Sequence, residues 1–303
     1  MRVLFAMCFA AALGGCTTPT PTSAPAVVDA WDAVRIGAYD NRSFARLFTE
    51  VGGYETISEA DGRMVLRHPG GGARVELEEL PPSSPQARPP DAQSWEPGCY
   101  WSLMVRARGL ESIVEEARAL GWEPRTPVAY LEFGPSKLHI VVLTHRATGT
   151  QVQFYERLGA PPPDGYPDFD RFGTPFNTMQ MSGDVEAGHR FFTEELGFAT
   201  FYKGGPTVAE EGDVMPLGVP AELATAVPYH TAIVYPEVGM ETGRFEVIEV
   251  EGERLGPARD FRDQCDSGSV GLTAVMYDAR SADERTRTVV SPDGAPIMFG
   301  YRR

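Results

Sequence analysis

Five histidines, four cysteines and 42 acidic side chains are what this 303-residue chain offers for holding a metal or moving a proton. Closely spaced imidazoles or thiols would present paired ligands from one strand or turn, but neither His-x-His nor Cys-x-x-Cys occurs. His68 precedes Pro69 in a turn, His145 stands beside the turn Ala147–Thr150, and His189 adjoins Arg190 on a helical stretch. His139 lies in the strand-like run Leu138–Thr144, where an imidazole reads as part of a sheet face. His230, opening a strand beside Tyr229, is the one histidine placed to meet a ligand. Gly70-Gly71-Gly72 joins two strands with no Lys-Ser or Lys-Thr behind it, so it is a tight turn and no phosphate cradle. No serine stands in a Gly-x-Ser-x-Gly elbow. Any site must therefore be assembled from separate strands.

The elements that would assemble it repeat along the chain. DNRSFARLFTEVGGYET from Asp40 and DVEAGHRFFTEELGFAT from Asp184 match at seven of 17 positions with an ungapped offset of 144. A period that long means two related halves, since stacked solenoid repeats are about 20–50 residues. In each copy an alternating strand leads to an Asp that can cap a helix. Phe44, Leu47, Phe48 and Val51 then form one apolar helical face, and Gly53 or Gly197 closes it. Strand signals follow at 64–67 and 73–79 in the first copy and at 230–236 and 244–250 in the second. A further unit starts at Tyr100, with a helical face at Leu110, Ile113, Val114 and Ala117 and strands at 128–133, 138–144 and 151–156. A thinner fourth unit has a strand at 271–277, a short helical turn at 281–285 and a hairpin across Pro292-Asp293-Gly294. Pro-rich joints at Pro81–Pro97 and Ala160–Pro175 separate the pieces.

Paired βαβββ units, the Asp-capped helices, Arg190–Phe198 and the terminal Ser291-Pro292-Asp293-Gly294 turn resemble the vicinal-oxygen-chelate superfamily. That family includes glyoxalase I, extradiol dioxygenases and the bleomycin and fosfomycin resistance proteins. The resemblance implies an α+β fold of tandem paired βαβββ modules. These would form two glyoxalase-like cup-shaped domains at 31–157 and 175–303, joined by a linker at 158–174. In metal-dependent members a first-strand His or Glu and a last-strand Glu or Gln hold the ion. The first-strand places fall here on Ala33, near Tyr100 and on Asn177, and the last-strand places on Glu76, Gln153, Val247 or Glu246, and Met298. Glu76 and Gln153 are the best remaining metal ligands, and two do not make a catalytic site. The expectation is therefore no cofactor, with a divalent metal as the alternative. Asn177, Met179, His230 and Glu246 are expected to face a small-molecule ligand in the second cup, with Phe201 and Tyr202 nearby. Gly204–Pro228, an insertion that the first copy lacks, is expected to close over it. The implied function is metal-free binding of a small molecule. The alternatives are a metal-dependent enzyme of the glyoxalase or dioxygenase type and an interaction module at the cell envelope.

Composition narrows the partners. Lys and Arg total 27 against the 42 acids, a formal charge of −15, which excludes the counterion-releasing surface of a nucleic-acid binder. With 42% hydrophobic and 10% aromatic residues the chain can bury a core, yet no apolar run is long enough to cross a bilayer. Arg2, the apolar run Val3–Leu13 and Leu13-Gly14-Gly15-Cys16 resemble a bacterial lipoprotein signal. That resemblance implies a signal peptide at 1–15, acylation of Cys16, a Pro- and Thr-rich tether at 16–30, and a place at the outer membrane facing the periplasm. Export would leave Cys99 and Cys265 in an oxidising compartment. Both precede the first strand of a module, and a Cys99–Cys265 disulfide is expected.

Overall fold

The computed structural model describes residues 2–3, 28–133, 136–159, 165–210, 217–219, 221–251, 255–279 and 287–300. Apart from Arg2 and Val3, the expected signal peptide lies outside them, as do Cys16, most of the tether and the 281–285 turn. A two-residue strand β1 (Arg2–Val3) is described, pairing in parallel with Tyr130 and Leu131.

Four modules follow. The first is β2 (Val28–Ala38), α1 (Asn41–Arg46), β3 (Glu55–Ala60), β4 (Arg63–Arg67) and β5 (Arg74–Glu79). The second is β6 (Tyr100–Ala107), α2 (Leu110–Ala119), β7 (Trp122–Pro124), β8 (Ala129–Phe133), β9 (Ser136–His145) and β10 (Gln151–Arg157). The third is β11 (Phe172–Met181), α3 (Val185–Arg190), β12 (Ala199–Thr207), α4 (Ala221–Ala224), β13 (Tyr229–Tyr235) and β14 (Arg244–Val250). The fourth is β15 (Gly271–Ala279), β16 (Arg287–Val290) and β17 (Pro296–Gly300).

The repeated sequence builds the same device twice. Asp40 accepts a hydrogen bond from the Ser43 amide at 3.0 Å, and Asp184 from the Ala187 amide at 2.9 Å. Each short helix widens into a five-residue π-helical turn, Leu47–Val51 or Phe191–Glu195. In both, the repeated threonine bonds the carbonyl four residues back: Thr49 to Ala45 and Thr193 to His189. Gly53 and Gly197 leave these turns at φ +73° and +71°, the left-handed region that glycine enters without a Cβ clash.

The sheets do not follow the halves of the chain. One sheet runs β1-β8-β9-β10-β6-β11-β14-β13-β12, and the other β16-β17-β15-β2-β5-β4-β3. The second and third modules thus share the larger sheet, through antiparallel β6 and β11. The first and fourth share the smaller, through antiparallel β2 and β15. Each sheet thus takes one module from the stretch 31–157 and one from 175–303. A repeat shows which modules are alike. Every residue of β6 and β11, the strands that join the second and third modules, is buried.

Between the sheets lies one continuous core. Phe44 of the first module packs 5.1 Å from Trp122 of the second, and Phe48 packs 6.4 Å from Phe172 of the third. Phe198 of the third packs 5.6 Å from Tyr277 of the fourth. Burying each such ring is worth roughly 1.5–3 kcal/mol. Buried polar bonds add alignment: Tyr54 donates to the Gly173 carbonyl at 2.7 Å, and Ser182 to the Asp293 carboxylate at 2.5 Å.

Candidate ligand-binding site

Strand alternation brings a polar row onto the face of the larger sheet that points away from this core. Gln153 pairs in register with Met104, Met104 with Asn177, and Asn177 with Arg244. One step along, Ser102 pairs with Met179, Met179 with Glu246, and Glu246 with Ile233. The side chains close into a network. Gln153 Nε2 donates to Ser102 Oγ at 2.8 Å and lies 3.5 Å from Met179 Sδ. Tyr155 OH donates to Gln153 Oε1 at 3.0 Å, and Asn177 Nδ2 to Glu246 Oε2 at 3.4 Å. Ser102, Gln153, Asn177 and Met179 are all buried.

Apolar groups wall this network in. Met104, Met179, Met181, Ile248 and Val250 from the floor form one cluster with Tyr166 and Phe169 of the inter-module connection. Leu217, Val219, Ala224 and Val227 join it. These belong to the 204–228 insertion, whose described part therefore packs on the cup floor.

Burial governs the ionisation of the site. The Glu246 carboxyl is pushed up to about 7, opposed in part by the Asn177 hydrogen bond. Tyr155 is raised well above its ordinary value by burial and by the nearby Glu246 charge. Asn177 Oδ1 is buried with no hydrogen-bond donor among the described residues. When Glu246 is protonated, the amide can turn over so that the acid O–H donates to Oδ1. The pair can thus serve a ligand as donor or acceptor near neutral pH.

Three of the four expected ligand-facing residues, Asn177, Met179 and Glu246, meet on this surface. His230 does not. It pairs in register with Glu249, one residue off the Glu246 face, and its Nε2 lies 2.8 Å from Glu251 Oε1. A one-residue step along a strand reverses the face, and Tyr229 packs on the cup cluster instead. Glu76 and Gln153 sit in different sheets and cannot share an ion. Phe201 is exposed and lies under the Arg244 guanidinium at 4.1 Å. Ser102, Tyr155, Arg106 and Arg244 were not anticipated, although alternation of Gln151, Gln153 and Tyr155 with Val152 and Phe154 was the available signal.

The remaining histidines have structural partners. His145, driven down to about 4 by burial, lies 3.0 Å from Thr148 Oγ1 and packs on Phe44 and Trp122. It borders a separate cavity of about 340 Å³ beside Asp40 and Arg46. His189 contacts Thr200 Oγ1 at 2.8 Å, and Glu186 three residues earlier pairs with Lys203 at 2.6 Å.

This architecture is found among solved structures. Glyoxalase I from Zea mays matches with a TM-score of 0.58 at 13% identity, over 90% of this chain and 92% of that one. A Bacillus subtilis protein provisionally assigned as a dioxygenase matches with a TM-score of 0.56 at 8% identity, over 90% and 85%. The chain has the glyoxalase fold. No family model and no curated protein matches its sequence.

The glyoxalase fold raises the question of a divalent metal, and the donor sets here do not fit one. The larger sheet offers one carboxylate, two amides and a hydroxyl, with the amides already bonded to Ser102, Tyr155 and Glu246. A borderline cation takes imidazole, thiolate or several carboxylates. In the smaller sheet Ala33 and Met298 have no anionic donor, and Glu76 lies 3.3 Å from Arg74, which also holds Asp32 at 2.6 Å. Among the described residues no three His, Cys, Asp or Glu side chains come together.

Cys99 and Cys265 are free thiols, both buried. The expected disulfide is not formed in this structure, but the thiols are neighbours. The Cys99 Sγ donates to the Phe261 carbonyl at 3.1 Å, and its thiol is raised above its ordinary value by burial and further by the nearby Cys265.

Proposed function

We propose that the cup of the larger sheet binds a small, mainly apolar molecule without a metal, in a protein held at the cell envelope through acylated Cys16. One observation carries the binding reading: a hydrogen-bonding row of Gln153, Asn177 and Glu246 lies inside an apolar wall that the 204–228 insertion helps to build. Ligand sites commonly combine an apolar lining with a few convergent polar groups. The anchoring reading rests on Leu13-Gly14-Gly15-Cys16 and the apolar run before it.

Paired substitutions test the binding. Met179→Trp fills the larger cup, while Met276→Trp adds the same bulk on the smaller sheet. Thermal-shift screening of small aromatic compounds should find ligands that protect the wild type and Met276→Trp but not Met179→Trp. Equal protection of all three would remove this reading. For anchoring, Cys16→Ser should move the protein from the membrane to the soluble fraction of expressing cells.

A second reading is supported by Glu246 itself. A carboxyl pushed up to about 7 inside an apolar cup can exchange a proton with a bound molecule at neutral pH. Deuterium exchange from a bound carbon acid, lost in Glu246→Gln, would favour that reading over binding alone.

A further inference from the structure

Arg106 is buried at 8% exposure on the same strand face as Met104. Its guanidinium lies over the rings of Tyr166 at 5.0 Å and Phe176 at 4.6 Å, both members of the cup cluster. Its Nε is buried without an acceptor among the described residues. The carboxylate paired with it, Glu241, stands at 3.5 Å, and that same residue holds Arg244 at 3.2 Å. Two cations thus share one anion. Arg157 is close enough to repel Arg106 further, and Glu246 is hydrogen-bonded to Asn177.

A buried guanidinium demands hydrogen bonds for its N–H groups, because water no longer supplies them. The described residues give this one aromatic faces and a shared counter-charge beyond hydrogen-bond contact, at 3.5 Å. The missing partner is a planar anion carrying a single charge, which a guanidinium fork binds through two parallel hydrogen bonds. We propose that Arg106, with Arg244 beside it, holds the carboxylate of a ligand whose apolar body lies over Met104 and Met179. This rests on the reading of the larger cup as a ligand site and adds the class of ligand: an apolar monocarboxylate.

Matched probes test it. Phenylalkanoates from phenylacetate upward, and the corresponding neutral primary amides, are titrated against wild type, Arg106→Gln, Arg106→Lys and Met179→Trp by thermal shift and tryptophan fluorescence. Wild type should bind the carboxylates at least tenfold more tightly than the amides. Arg106→Gln should erase that ratio and keep the amide affinity, and Arg106→Lys, which keeps charge without the fork, should give an intermediate ratio. If Arg106→Gln does not fold, the wild-type ratio and the lysine variant still decide. Amides binding wild type as well as carboxylates, with Met179→Trp excluding both, would overturn the anchor and leave the cup standing. Carboxylates binding Met179→Trp as well as wild type, or no probe binding wild type, would overturn both.

Discussion

A carboxyl that keeps its proton into the neutral range makes its own site sensitive to pH, and Glu246 does so from the floor of the cup. Its value is raised in the folded state, so folding disfavours the ionised form. Below about pH 4.5 both states are protonated and no penalty exists. As pH rises through about 7 the penalty becomes complete, reaching roughly 3 kcal/mol. Glu246→Gln should therefore match the wild type in urea unfolding at pH 4 and exceed it at pH 8. Equal stability of the two at both pH values would show that the carboxyl is not desolvated. At this scale the sequence was partly legible. Asn177 and Glu246 could be placed on one face because the strand starts and ends could be counted from the capping Asp184. His230 stands on the opposite face from Glu246, since one position along a strand decides the face and no sequence signal marks which one a strand's first residues take. Arg106 was missed because an arginine among apolar strand residues reads the same whether its head is solvated or stacked on aromatic rings.

The capped helix with its π-helical turn is the unit that sets each first strand against its sheet. Removing the Asp184 cap should cost about 1 kcal/mol, so Asp184→Ala should lower the unfolding midpoint modestly with the denaturant slope unchanged. Gly188→Ala should cost more, because an added Cβ would stand 2.8 Å from Val247 Cγ1 on β14. If Gly188→Ala were neutral, the close packing of α3 on β14 would be wrong. Both the caps and the apolar face were readable, since Phe44, Leu47, Phe48 and Val51 are buried as their spacing required. The π-helical turn was not, because one widened turn hardly changes which residues face the core. The insertion at 204–228 was visible as extra length with apolar residues. Its described part packs on the cup floor through Leu217, Val219, Ala224 and Val227.

At the scale of the whole molecule, the two sheets are tied by the start of β6 and the turn before β17. Asp293 in that turn accepts hydrogen bonds from Ser182 and from the Gly183 amide, and its carbonyl accepts from the Cys99 amide. Asp293→Ala should cost about 1–2 kcal/mol, since it removes the acceptor of the buried Ser182 hydroxyl and of the Gly183 amide while the backbone bond to Cys99 remains. The same joint holds Cys99 and Cys265. In an oxidising glutathione buffer the two thiols are expected to join, each losing a hydrogen to the disulfide oxidant. The bond would close the 165 residues between them, worth about 5 kcal/mol in the chain-entropy treatment. Peptide mapping without reductant reads the link directly, and two titratable thiols in the denatured oxidised protein would refute it. What the sequence did not signal is which modules share a sheet: β6 follows the Pro-rich stretch Pro81–Pro97 and pairs with β11 of the third module. The central claim, that the cup of the second and third modules is the ligand site, is tested most directly by methionine-methyl NMR. Met104, Met179 and Met181 line that cup, while Met276 and Met298 sit in register on the smaller sheet. Titrating a phenylalkanoate should shift the first three methyl signals and leave the last two in place; shifts confined to Met276 and Met298 would contradict the account.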